Sequence, residues 1–220
     1  MPADHAFGWF RDAMRLWKQA PATFAAIAVV VLVTSIALEP VPIAGLVAAN
    51  VVAPVLACGL YYACLAADRN DRPRFTHIAA VFAAPLRALA AVVAASLIAL
   101  AAEAFTAWQL AGVNLLLPVP ENANLPIETI IAVHAVSIAA SLPLTFVPMA
   151  ALFDGEGVRR AFALSARAFA MNVPALTLLA AYSFVLLMLG LATMGVGLVL
   201  ALPWIAAASY AAWKDIFGLR

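Results

Sequence analysis

Polar and apolar positions along this chain separate into six long apolar stretches divided by shorter polar ones, an alternation that predicts helices crossing a membrane. A spanning helix needs about 17–25 mostly apolar residues. Such stretches run from about Ala22 to Leu38, Ile43 to Ala67, Leu86 to Leu110, Ile127 to Phe153, Val173 to Leu191 and Val196 to Trp213. The longest polar interruption, Asp68–Arg87, contains Arg69, Arg72, Arg74 and Arg87.

Ahead of the first stretch, residues 4–20 vary with a helical period. Phe7, Phe10, Met14 and Trp17 fall on one face, and Arg11, Arg15 and Lys18 on another. A short helix with aromatics on one side and bases on the other is expected in the membrane interface. Pro21 then turns the chain into the bilayer. The expected interfacial anchors are Trp9, Trp17, Arg11, Arg15, Arg69, Arg72, Arg74, Arg159 and Arg160.

The bases orient the whole. Arg11, Arg15 and Lys18 precede the first span, and four arginines lie between the second and third. Arg159, Arg160 and Arg167 lie between the fourth and fifth, while Lys214 and Arg220 follow the sixth. All twelve lysines and arginines therefore share one side. The loops around Glu39–Pro42, Val113–Pro126 and Gly190–Gly195 carry none. By the positive-inside rule both termini are cytoplasmic. The excess of Arg over Lys and the abundance of Ala hint at a GC-rich bacterial genome, which makes the expected location the bacterial inner membrane. The first apolar run exceeds a signal-peptide core and lacks a small-residue cleavage site, so it is expected to be retained.

The basic segments also resemble one another. Each combines an amphipathic stretch, an aromatic and a proline at the start of a span: Trp17 to Pro21, Phe82 to Pro85, and Phe169 to Pro174. The even-numbered spans share an internal proline and an acid at the inner exit: Pro54 with Asp68, Pro148 with Asp154, and Pro203 with Asp215. The expected fold is thus all-α: one polytopic membrane domain over 1–220, with six transmembrane helices and three cytoplasmic elbow helices. Three copies of elbow plus hairpin would occupy 4–67, 74–153 and 157–217. Pro54, Pro143, Pro148 and Pro203 should bend the even spans by freeing backbone carbonyls.

Composition supports this picture. The chain is 67% hydrophobic and 10% charged, with mean hydropathy +1.05. A soluble domain carries about 25% charged residues. The formal net charge of +1 leaves no field for nucleic acid. Cys58 and Cys64 are six positions apart and expected to be small helix-interface fillers.

Candidate chemistry is sparse. Glu103 and His134 lie within predicted spans, and an intramembrane acid is a functional candidate by default. As a pair they can relay protons, hold a metal or bind a headgroup. Separately, Glu103 meets the outer water boundary like Glu39, and His134 bonds a nearby carbonyl. Ser137 and Ser141 are expected to pack helices. Gly190–Gly197 lacks the phosphate-loop spacing and predicts a tight hairpin. His5, His77 and His134 are not at metal-ligand spacing, so no cofactor is expected. The outer loop 115–128, acidic and rich in proline, is a candidate partner contact or a linker.

The ending Ser209-Tyr210-Ala211-Ala212-Trp213-Lys214-Asp215-Ile216-Phe217 resembles that of a group of uncharacterised bacterial multi-pass inner-membrane proteins. There, a Ser-Tyr-x-x-aromatic-basic-Asp-x-Phe run closes the last helix. Trp17 to Pro21 and Leu164-Ser165 to Asn172-x-Pro174 are similar to further features of that group. Trp213-Lys214 stands where Tyr-Arg is expected. The resemblance implies a shared architecture and no catalytic residues.

The expected function is a non-enzymatic scaffold or accessory subunit packing on membrane lipids, other membrane proteins or further copies of itself. The alternative is a small transporter or channel using Glu103, His134 and the proline-bent helices. A reporter fused after Arg220 should be active only in its cytoplasmic form; periplasmic activity would refute the topology.

Overall fold

The computed structural model describes residues 1–38, 44–114 and 126–218. Glu39 and its loop, most of the outer loop 115–128 and Arg220 lie outside the described residues. The described chain is all-α. In order, its helices are α1 (His5–Trp17), α2 (Pro21–Leu38), α3 (Ala44–Asp68), the short α4 (His77–Ala80) and α5 (Leu86–Ala111). They continue with α6 (Ile127–Ser141), α7 (Val147–Leu152), α8 (Val158–Met171), α9 (Val173–Ala192) and α10 (Leu198–Phe217).

Five segments are long and apolar enough to cross a membrane: Pro21–Leu38, Val47–Asp68, Leu86–Ala111, Ile127–Leu152 and Val173–Ala192. They mark the chain as a multi-pass membrane protein. The sixth expected span forms α10, which falls outside that set because its last turns carry Ser209, Tyr210, Trp213, Lys214 and Asp215. It packs against α1, α2, α3 and α9, and Ala206 to Trp213 are all buried. A helix wrapped by its neighbours tolerates polar groups that a lipid-facing helix would not.

The three basic segments that the sequence singles out as elbows differ in form. The first and third elbows are full amphipathic helices, α1 and α8. The middle one is a single turn, α4, continued by a 3-10 turn at Val81–Ala83. Gly59 explains the tight seat of that turn, since a Cβ there would lie 2.7 Å from the Ile78 Cα.

In α1 the buried residues are Ala6, Trp9, Ala13 and Leu16, spaced three, four and three apart like a coiled-coil seam. The face expected to meet lipid, with Phe7, Phe10, Met14 and Trp17, lies beside this seam. Phe10 reaches the Tyr182 ring of α9, with centroids 4.2 Å apart. The pattern of bulky residues hides the seam because two of its members are alanines.

Proline does free backbone groups, and neighbouring helices satisfy them. Pro54 sits inside α3, so the carbonyl of Asn50 loses its helical donor. Ser96 Oγ of α5 donates to that carbonyl at 2.9 Å. The fourth span is interrupted between α6 and α7 by a 3-10 turn at Leu142–Leu144, the stretch holding Pro143 and preceding Pro148. The buried Phe146 N–H at this break donates to Ser165 Oγ of α8 at 3.0 Å. Cys58 and Cys64 are free and buried, and the Cys58 thiol donates to the Pro54 carbonyl at 3.2 Å.

Substitutions at Ser96 and Gly59 test these joints. Ser96→Ala should cost about 1 kcal/mol by stranding a carbonyl away from water, while Ser96→Thr should cost less. Gly59→Ala should lower the melting temperature in detergent by several degrees, about what a loss of 1–2 kcal/mol produces. Unchanged melting in both would show that neither joint bears on stability.

Candidate functional site

The polar side chains that the structure joins gather where α3 and α10 end. Asp68 closes α3, followed by Asn70 in the left-handed region at φ 58° and an Asp71 N–H that donates back to the Ala66 carbonyl at 2.9 Å. That helix ending aims Asp68 at α10. Lys214 Nζ donates to Asp68 Oδ2, and the Tyr210 hydroxyl donates to the same oxygen at 3.3 Å. From α1, Arg15 Nη2 approaches Asp68 Oδ1 at 3.6 Å, while its Nε meets Asp12 at 3.3 Å. One carboxylate thereby ties three helices.

Asp215, one residue beyond Lys214, makes the second tie. Its Oδ2 accepts from the Trp9 indole at 2.9 Å and lies 3.2 Å from His5 Nδ1. Trp9 is only 2% exposed, so this tryptophan is packed between α1 and α10. Beside the ion pair, Phe153 contacts the rings of Tyr62, Tyr210 and Trp213, with centroids 5.2, 6.4 and 5.6 Å away. These rings border the cluster on one side.

Two open recesses flank the Asp68–Lys214 pair. One, of about 560 Å³, lies between α1 and α10 and is lined by His5, Trp9, Asp12, Arg15 and Asp215 as well as the pair. The other, of about 610 Å³, is lined by Tyr62, Arg69, Phe153, Asp154 and Trp213. Asp154 has its carboxyl raised above the ordinary range by burial first and the Glu156 charge second, with the Trp213 indole pulling the other way. A carboxyl raised in this way favours the fold at low pH and loses that contribution as pH rises through its folded value.

The cluster is suited to holding helices together and to binding polar groups in its recesses. Asp68 is occupied by donors from α1 and α10. No group of three or more metal-ligating side chains forms among the described residues.

Glu103 on α5 and His134 on α6 are both half-buried and share no ion pair among the described residues. His134 instead turns Nδ1 to the Ile130 carbonyl one helical turn back, at 2.9 Å. Arg11, Arg69, Arg72, Arg74 and Arg159 are exposed, as is Arg160, which pairs with Glu156 at 3.1 Å. Arg15 joins the cluster, and Trp17 is half-buried.

The acids at the inner exits and the Ser-Tyr-x-x-Trp-Lys-Asp-x-Phe ending were visible as separate patterns. Their joining was not, because Asp68 and Lys214 are 146 positions apart. In the other quoted segment, Ser165 caps Phe146 and Asn172 Nδ2 donates to the Ala168 carbonyl at 2.8 Å. No protein-family model, curated protein or solved structure matches this chain.

Lys214→Met should destabilise the fold by about 2 kcal/mol, because it leaves a mostly buried carboxylate short of its main partner. Adding Asp68→Leu should recover much of that loss, as measured by unfolding in detergent. Additive losses in the double variant would show that the pair is not coupled.

Proposed function

We propose that this chain is a non-enzymatic inner-membrane scaffold or accessory subunit, with six spans and both termini in the cytoplasm. The observation that carries this reading is the division between spent polar groups and open apolar faces. The described ion pairs draw on α1, α3, α8, α10 and the turns beside them, and those involving Asp68 and Asp215 tie helix to helix. By contrast α6 buries only Val133 along its length, and Phe105, Trp108, Leu110, Ile127 and Ile131 stay exposed on the α5–α6 pair. Apolar faces of that extent suit lipid or a partner's helices.

α10 supplies the sixth span in this reading. Its 20 residues rise about 30 Å at 1.5 Å each, close to the hydrocarbon thickness. Lys214 and Asp215 then sit at the inner surface with the other bases, consistent with a cytoplasmic C-terminus. A three-copy ancestry of elbow and hairpin fits the element order, with the middle elbow shortened. A transport path through Glu103 and His134 draws no support from their hydrogen bonding, since His134 bonds its own helix.

Purification in a mild detergent tests the accessory role. The protein should come off with a larger membrane complex in fixed stoichiometry. A lone monomer, stable and free of other subunits, would overturn it.

A further inference from the structure

The recess of about 610 Å³ beside the Asp68–Lys214 pair holds more polar capacity than the fold uses. Its charged lining is balanced, with Asp68 and Asp154 against Arg69 and Lys214. Asp68 and Lys214 are spent on each other, and the Tyr210 hydroxyl is spent on Asp68. Three other groups are not spent. Arg69 and Asp154 are exposed, and neither forms an ion pair among the described residues. The hydroxyl of the half-buried Tyr62 makes no hydrogen bond among them.

These three groups come from two walls. Tyr62 and Arg69 are seven positions apart, two turns of helix, and line the recess together with Leu65 between them. Asp154 enters from the turn after α7, next to Leu152 and Phe153. A base and an acid that line one recess without closing on each other leave room for a ligand with the opposite charge at each end.

We propose that the recess binds the phosphoethanolamine headgroup of a membrane lipid, with the phosphate on Arg69 and the Tyr62 hydroxyl and the ammonium on Asp154. The inference rests on the reading that the ends of α3 and α10 lie at the inner membrane surface. It adds the site, the headgroup and the recognising residues. Balanced charge selects a zwitterion. A purely anionic headgroup leaves Asp154 unanswered, and a purely cationic one meets Arg69 and Lys214. A primary ammonium donates hydrogen bonds to a carboxylate, whereas a trimethylammonium has none to donate. Leu65, Leu152 and Phe153 give the glycerol and the first methylenes an apolar wall, and the volume lies within the range of small-molecule sites.

Native mass spectrometry of the detergent-purified protein tests the site. The probes are palmitoyl-oleoyl phosphatidylethanolamine, phosphatidylglycerol and phosphatidylcholine. The wild type should retain one phosphatidylethanolamine per chain, about tenfold more than either other lipid, as one charge-assisted hydrogen bond allows. Arg69→Gln should lower that retention about tenfold. Asp154→Asn should erase the preference over phosphatidylcholine while a phosphate is still held. Arg72→Gln, which removes an exposed base outside the recess lining, should change neither. Excess soluble glycerophosphoethanolamine should not displace the lipid; displacement assigns the recess to a soluble zwitterion and overturns the lipid source. Equal retention of the three lipids, or an Arg72→Gln loss as large as that of Arg69→Gln, would overturn the site. The reporter after Arg220 separates the two failures. Periplasmic activity refutes the placement of these helix ends, whereas cytoplasmic activity with unselective retention refutes only the site.

Discussion

A carboxylate withdrawn from water must find donors, and in this protein Asp68 finds them on two other helices. Lys214 and Tyr210 reach it from α10 and Arg15 from α1. With Asp215 holding Trp9 and His5, the acids at the ends of α3 and α10 bind the N-terminal helix to the bundle. Such pairs add little net stability over apolar packing, but they are costly to break singly and fix which helices meet. The register of α1 on α10 follows from them as much as from the Ala6–Trp9–Ala13–Leu16 seam.

The same accounting governs the backbone. Away from water an unpaired peptide group has no substitute partner, so each irregularity needs a donor or acceptor from elsewhere. Ser96 answers the carbonyl freed by Pro54, and Ser165 answers the N–H exposed by the break before α7. Each bond also joins helices, α3 to α5 and the break to α8. Imperfections in single helices thus serve as links between them.

What the interior consumes in polar contacts, the outside leaves open in apolar ones. α10 is enclosed and can carry Tyr210, Trp213 and Lys214, while α5, α6 and α9 present leucine, isoleucine, valine and aromatic side chains outward.

The placement of helices was legible from the chain alone, because lipid demands long apolar runs and water demands the charges between them. The ends of α2, α3, α5 and α9 fall within a residue or so of where hydropathy predicts them. The break at Leu142–Leu144 was legible only in part, through Pro143 and Pro148. Glu103 and His134 stood out because isolated charges in apolar runs are conspicuous, yet a sequence carries no distance between α5 and α6. Asp68, Arg15 and Lys214 are inconspicuous singly, since charged residues near helix ends are ordinary, and so is a lone Tyr210 within a span. Only the tertiary structure could join them: a carboxylate's partners are chosen by proximity in space, and here that proximity is made by alanines small enough to let α1 and α10 touch.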